Sequence, residues 1–465
     1  MAEGAAAGGG RHGASASRQI DMTRGSLADK VLLFAVPVAV TAMLQQLYNV
    51  ADVAVTGRFV SAEAMAAVGC NASVVSLLVS LFQGISLGAN VTIATAIGAE
   101  EPDRAHRAVH TSLVFALAGG VILAVLAELL SAPTLTLLGV PDDIFGMALA
   151  YLRVYVAGLP VVFLYDFEAA VFRSVGDTLT PLRTLVVSSG ANIALDLLVA
   201  RVLGWGPAGV ALTTVAATAV AAAILFARLL RAGKAIRVTV SDLRVDRWAL
   251  KEILRVGLPA GVQSAFFSIA NVVIQGAINS LGQTVIAASS AGASIESLTY
   301  FVYNSFGQAC TTFVGQNHGA RRPDRCRRAL GVCLLECLAT GGVVIALVLG
   351  FGHQLIAFFD PDPAVVREGY VRLQFVIGAQ VFCAFNENFS GYLRGYGMSL
   401  LPAALTVFSI VILRLAYVAV VFAHDPTFPC LLAVYPVSLG VNAAGLVLLY
   451  LAVGRGLGEG AAATR

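Results

Sequence analysis

From residue 31 to residue 453 the chain is a succession of apolar runs, each about 20 residues or longer. That is the length an α-helix needs to cross the hydrocarbon core of a bilayer. Twelve such runs lie near 31–56, 64–96, 108–131, 146–170, 181–201, 207–231, 252–280, 285–316, 328–350, 366–392, 401–423 and 430–453. In lipid the backbone must satisfy its own hydrogen bonds, so runs of this length fold as spanning helices. Composition excludes the soluble alternative. Hydrophobic residues make up 58% of the 465 and charged residues 12%, about half the roughly 25% of a soluble domain. The chain is therefore predicted to be an all-α polytopic membrane protein with twelve transmembrane helices. A net charge of +3 gives no footprint for nucleic acid. The seven cysteines are scattered through apolar stretches and form no disulfide framework.

The basic residues orient the bundle. Arg24, Lys30, Arg104, Arg107, Arg173 and Arg183 fall on the side at which the chain first enters, as do a central run from Arg228 to Arg255 and a cluster from Arg321 to Arg328. By the positive-inside rule that side is cytoplasmic, with both termini on it. Residues 1–27, rich in Ala, Gly and Ser without a continuous apolar stretch, read as a disordered cytoplasmic tail rather than a cleaved signal. Residues 232–250 read as a cytoplasmic linker and 456–465 as a second tail.

An internal repeat divides what lies between. Pro37 and Pro259 stand at an offset of 222, as do Asn49 and Asn271. GAEEPDRAHRAV at Gly98 matches GARRPDRCRRAL at Gly319, and FRSVGDTLTP matches LRGYGMSLLP, both at 221. The spacing predicts two six-helix lobes, 28–231 and 251–455, around a central cleft. An even number of helices per repeat relates them by an axis along the membrane normal, an arrangement suited to alternating access.

Ionisable groups at membrane depth are costly, so each is a candidate for function. Gln45, Asn49, Asp52 and Thr56 share one face of the first helix, and Asn192 and Asp196 share one face of the fifth. Asp52 and Asp196 fall at similar depth in one lobe, where two carboxylates can share a proton or hold a cation. The structural alternatives are pairing of Asp52 with Arg58 and of Asp196 with Arg201. The repeat places Ile274 and Tyr417 at the matching positions of the second lobe, which therefore lacks the acidic pair. There Arg414 needs an acidic partner, with Glu296 and Glu387 available; a structural ion pair is the expectation, a substrate contact or gate the alternative. Asp166, which aligns with Glu387 at the offset of 221, either lines the cavity or pairs with Arg173.

The stretches LYNVADVAVTGR (47–58), FRSVGDTLTP (172–181), NIALD (192–196), GQACTTFVGQNHGA (307–320) and LRGYG (393–397) resemble those of the multidrug and toxic compound extrusion (MATE) family, in order and over nearly the whole chain. The resemblance implies antiport of substrate against protons or sodium ions. It implies a cation site in the N-terminal lobe at Asp52, Asn192, Asp196 and Thr214, and a substrate contact at Gln45. Asn49, Asp166, Glu296 and Arg414 complete the candidate substrate-lining set. Sodium-linked relatives use a glutamate in the seventh helix and an aspartate in the tenth. Here Phe267 and Ser268 stand near the former, and Glu387 has different spacing for the latter.

The resulting expectation is a monomeric, proton-coupled exporter of cationic, amphiphilic organic compounds in a bacterial cytoplasmic membrane. Sodium coupling, or a dedicated exporter of a metabolite or lipid-linked precursor, is the alternative. Its partners would be small organic substrates, a coupling cation and the bilayer. No cofactor is expected, no Walker A motif supports ATP-driven transport, and no nucleophile constellation supports an enzyme. Gly84 and Gly88 read as close helix packing, and Cys333 and Cys337 as small packing residues rather than a zinc site.

Overall fold

The computed structural model describes residues 19–454 and 457. The outermost parts of both predicted tails, 1–18 and all but residue 457 of 456–465, lie outside the described residues. Among the described residues the chain is helical and contains no strand. The first lobe holds α1 (Ala28–Phe59), α2 (Ala62–Gly98), α3 (Pro102–Leu137), α4 (Asp142–Ala157), α5 (Leu159–Ser174), α6 (Leu179–Leu198) and α7 (Gly206–Leu229). The second holds α8 (Arg247–Asn279), α9 (Gln283–Gly319), α10 (Pro323–Gly350), a short α11 (Gly352–Phe359), α12 (Pro363–Ala379) and α13 (Val381–Gly395). It ends with α14 (Leu400–Thr406), α15 (Leu413–Tyr417), α16 (Phe428–Leu432) and α17 (Val434–Leu449).

These elements give twelve spans in two lobes. Among the described residues, ten are long, apolar helical stretches. An eleventh is the pair α4 and α5, bent by 47° at Gly158, where Pro160 lies in the first turn of α5. The twelfth is the equivalent pair α12 and α13, interrupted at Gln380. Backbone geometry repeats with the sequence. Glu100 and Arg321, related by the offset of 221, both take left-handed φ, at 56° and 54°. Gly176 and Gly397 do so at 80° and 77° in the paired Arg-x-x-Gly turns, a conformation glycine adopts without a Cβ clash.

The lobes interlock at the face where α1 begins, here the near face. Val31, Phe34, Ala35 and Val38 of α1 belong to the core of the second lobe, with Phe306, Phe313 and Cys333. Reciprocally, Ala249 and Ile253 of α8 belong to the core of the first. The expected G-x-x-x-G packing forms this seam. A Cβ on Gly84 would lie 2.3 Å from Gly261 Cα, and one on Gly88 2.2 Å from Ile253 O, so only hydrogen lets α2 and α8 approach so closely. Where α9 ends, a Cβ on Gly319 would lie 2.0 Å from Thr95 O of α2. The near halves of α2 (from Phe82) and α9 (from Tyr303) are buried almost residue for residue, the far halves only in part. The two lobes are therefore packed tightly together at the near face and less closely toward the far one.

Two stretches assigned outside the lobes, one of them expected to be disordered, pack against them. Residues 19–27, assigned to a disordered tail, instead pack on the second lobe. Met22 is fully buried in its core, and its carbonyl accepts from Asn317 Nδ2 (3.1 Å) and Arg325 Nε (3.2 Å). The arginine cluster that marks the near face thus binds the backbone of this segment, a role its charge alone did not disclose. The linker between α7 and α8 spans 230–246, with α8 starting at Arg247 rather than near 251. Ile236 and Val238 are buried in the first lobe, and Thr239 N donates to His110 Nε2 (3.0 Å).

Candidate cation site in the first lobe

Asp52 on α1 and Asp196 on α6 are both buried although neither has an ion pair among the described residues. Apolar neighbours hold α1, α6 and α7 together, and the polar side chains on their shared faces are turned inward. Thr214 Oγ1 of α7 donates to Asp52 Oδ2 (2.9 Å), and the adjacent Thr213 Oγ1 donates to Asp196 Oδ1. Tyr48 OH anchors α1 to α7 through Thr214 O (3.1 Å). Because Thr213 and Thr214 are consecutive on α7, their two hydrogen bonds bring both carboxyl groups to the same turn of that helix. Asp52 Oδ1, Asp196 Oδ2 and both side-chain heteroatoms of the fully buried Asn192 have no hydrogen-bond partner among the described residues.

Buried polar atoms without partners are rare and costly. Here four of them, two carboxylate oxygens, an amide oxygen and an amide nitrogen, belong to three buried residues of the same lobe. A proton shared between the carboxyls, or a small cation bound by oxygen atoms, would satisfy the acceptors. Neither structural alternative forms among the described residues, since neither Arg58 nor Arg201 makes an ion pair with these acids.

Comparison with known proteins agrees with this architecture. The MatE family profile matches residues 37–198 and 259–420, two stretches offset by the repeat spacing of 222. The chain belongs to the MatE family. It is 28% identical over 388 residues, 81% of this chain and 83% of the relative, to the "Probable multidrug resistance protein YoeA" of Bacillus subtilis. It is 29% identical over 400 residues, 83% of this chain and 84% of the relative, to the "Probable multidrug resistance protein NorM" of Thermotoga maritima. A crystal structure of MATE in the bent conformation shares the fold, with TM-score 0.86 over 95% of this chain and 98% of that one, at 23% identity. MatE proteins are membrane transporters, and the multi-pass architecture of this member accords with that.

Residue order in this MatE chain points to the acidic cluster but not to all of its surround. Thr213 escapes notice beside Thr214; the adjacent pair TT is the available signal, because consecutive residues on a helix reach two neighbours at once. Glu168 on α5 escapes notice as well. It is fully buried, and neither carboxylate oxygen has a hydrogen-bond partner among the described residues. Gln45 and Asn49 do not join the acids: Gln45 is half-buried and Asn49 exposed, which fits a position along the cleft wall. Asp166 is buried with Oδ2 unpartnered and forms no ion pair with Arg173 among the described residues.

The second lobe corrects one expectation. Arg414 does not pair with Glu296 or Glu387. Arg372 of α12 takes Glu296 instead (Nη2 to Oε2, 2.8 Å) and donates to Ser289 Oγ (2.8 Å). Glu387 accepts from Tyr300 OH (2.7 Å). A π-helical stretch, Val407–Ile412, precedes Arg414 and shifts the facing of everything after it; the guanidinium therefore turns toward Ser438 and Tyr435 of α17. Cys333 and Cys337 are buried in the core, as expected of packing residues, and the described residues contain no group of three metal-ligating side chains.

Proposed function

We propose that this MatE protein is a secondary antiporter that exports cationic, amphiphilic organic compounds in exchange for protons. The observation that carries the reading is the pair Asp52 and Asp196, buried, held by adjacent threonines and each with one orphan oxygen. When the pair is anionic it attracts a cationic solute or a coupling cation; when protons occupy it that attraction is lost. Exchange follows if the two occupancies favour opposite orientations of the cleft. The two threonines orient the carboxyls, and Asn192 offers further polar atoms to the coupling cation. Gln45 and Asn49 contact the solute along the cleft, with Asp166 and Glu296 further lining positions. Protons are preferred over sodium because the second lobe offers Phe267 and Ser268 where sodium-linked relatives carry a seventh-helix glutamate, and Glu387 stands at a different spacing from their tenth-helix aspartate.

The names of the relatives, both multidrug resistance proteins, support the substrate class. The basic residues at the near face, among them Arg104, Arg107, Arg321 and Arg322, support a cytoplasmic assignment for that face. The less closely packed far face then meets the outside of a bacterial inner membrane. The protein acts as a monomer, since one chain encloses the cleft.

The test is uptake of a fluorescent organic cation into everted vesicles, with pH and sodium gradients imposed separately. A pH gradient should drive accumulation, a sodium gradient should not, and Asp52→Asn and Asp196→Asn should each reduce the driven component by about a hundredfold. Full accumulation in both variants would remove the site from the mechanism; accumulation driven by sodium alone would replace the coupling ion.

A further inference from the structure

The two lobes place different chemistry at matching positions. Pro207 and Pro429 open the last span of each lobe, at an offset of 222. The same spacing relates Gln45 to Phe267, Asn192 to Arg414 and Thr213 to Tyr435. The π-helical stretch before Arg414 supplies the one-residue change from 221, the spacing of Pro181 and Pro402, to 222. Where the first lobe gathers carboxylates, the second gathers Arg414, Tyr435 and Phe267.

The charge there is not balanced. Arg372 and Glu296 cancel at 2.8 Å. Arg414 is 2% exposed, and no carboxylate of the described residues lies within 4 Å of it. Among the described residues its one hydrogen bond runs from Nε to Ser438 Oγ (3.0 Å), and Nη1 is buried without a partner. The guanidinium carbon sits 4.7 Å from the Tyr435 ring centroid and 5.6 Å from that of Phe267. Cation–π contact offsets part of the desolvation but leaves the Nη1 donors unused. A guanidinium in this condition lacks an anion.

We propose that the second lobe holds a ligand subsite, built on Arg414 between Phe267 and Tyr435, for the carboxylate of an aromatic organic acid or zwitterion. One uncompensated positive charge matches a monoanion, whereas a phosphate dianion would overcompensate it. Two aromatic rings beside the guanidinium suit a flat ligand whose carboxylate meets the Nη1 edge. Phe267 is the partly exposed member of the surround, while Tyr435 and Ser438 are buried; rotation of that ring opens the guanidinium. The subsite rests on the export reading for its access route, because a solute reaches it from the cleft. With the acidic pair opposite, a zwitterion could be held at both ends.

The experiment uses full-length purified protein in detergent and two forms of one xanthylium dye: the methyl ester, a cation, and the free acid, a zwitterion. Dissociation constants come from fluorescence anisotropy. Wild type should bind the free acid at least as tightly as the ester, and sodium benzoate should displace the free acid but not the ester. Arg414→Gln should shift the ratio of the two constants against the free acid by about tenfold, with Arg414→Lys between. An unchanged ratio in both variants, or no displacement by benzoate from wild type, overturns the subsite; the benzoate arm needs no variant to fold. Displacement by inorganic phosphate at lower concentration than benzoate overturns the monoanion assignment. Vesicle transport of the ester under a pH gradient reads the export proposal separately, so either can fail alone.

Discussion

The two lobes share a backbone and differ in what it holds. Left-handed turns recur at Glu100 and Arg321 and at Gly176 and Gly397, and each lobe breaks its fourth span at the equivalent place. Yet among the described residues the interior of the first lobe carries Asp52, Asp196 and Glu168 with no basic partner, and that of the second carries Arg414 with no acidic one. Duplication therefore preserves the turns and helix breaks that shape the scaffold. The polar groups inside it follow separate requirements.

The comparison is sharpest where like substitutions should read out differently. Removing either N-lobe carboxylate should reduce gradient-driven export by about a hundredfold, a loss of roughly 2.7 kcal/mol of coupling, while a thermal unfolding scan stays within a few degrees of wild type. Arg372→Gln in the second lobe should do the reverse. It strands Glu296, which is a quarter exposed, so the cost should be about 1–3 kcal/mol, below that of a wholly buried pair. The readout is a Tm lowered by several degrees with coupling preserved. If Arg372→Gln instead uncouples transport at unchanged Tm, the division of labour between the lobes is wrong.

Smaller effects sharpen the first site. Thr214→Ala and Thr213→Ala each remove one donor to a carboxylate, worth about 1 kcal/mol, so each should shift the pH dependence of export without abolishing it. Equal, large losses in both would mean the threonines hold the helices together rather than the acids. Last, Glu168→Met replaces a buried carboxyl lacking partners with an apolar group of similar length. It should raise Tm by a few degrees with export retained; loss of export at raised Tm would add Glu168 to the coupling machinery.

Much of this was legible from residue order alone. Spans are visible because lipid demands about 20 apolar residues in a row, and the lobes because motifs recur at one spacing. Asp52, Asn192 and Asp196 stand out as charges and amides inside apolar runs. What stayed hidden depends on facing. A π-helical stretch ahead of Arg414 turns its guanidinium away from the acids that spacing would assign to it, and no residue type announces such a stretch. The burial of Met22 was masked by the polar composition around it. The exchange of α1 and α8 between cores was unreadable for another reason: an apolar face does not record which lobe it meets.

That exchange bears on how the protein is made. Ala249 and Ile253, which finish the core of the first lobe, are synthesised only after all of that lobe's own helices. The near half of α1, with Phe34, must wait for α9 and α10 before it is covered. Neither half can complete itself during insertion, so a membrane chaperone or the neighbouring lipid must shield the unfinished faces until the chain is nearly done. Coexpressed as two separate polypeptides, the halves should each need the other in order to accumulate.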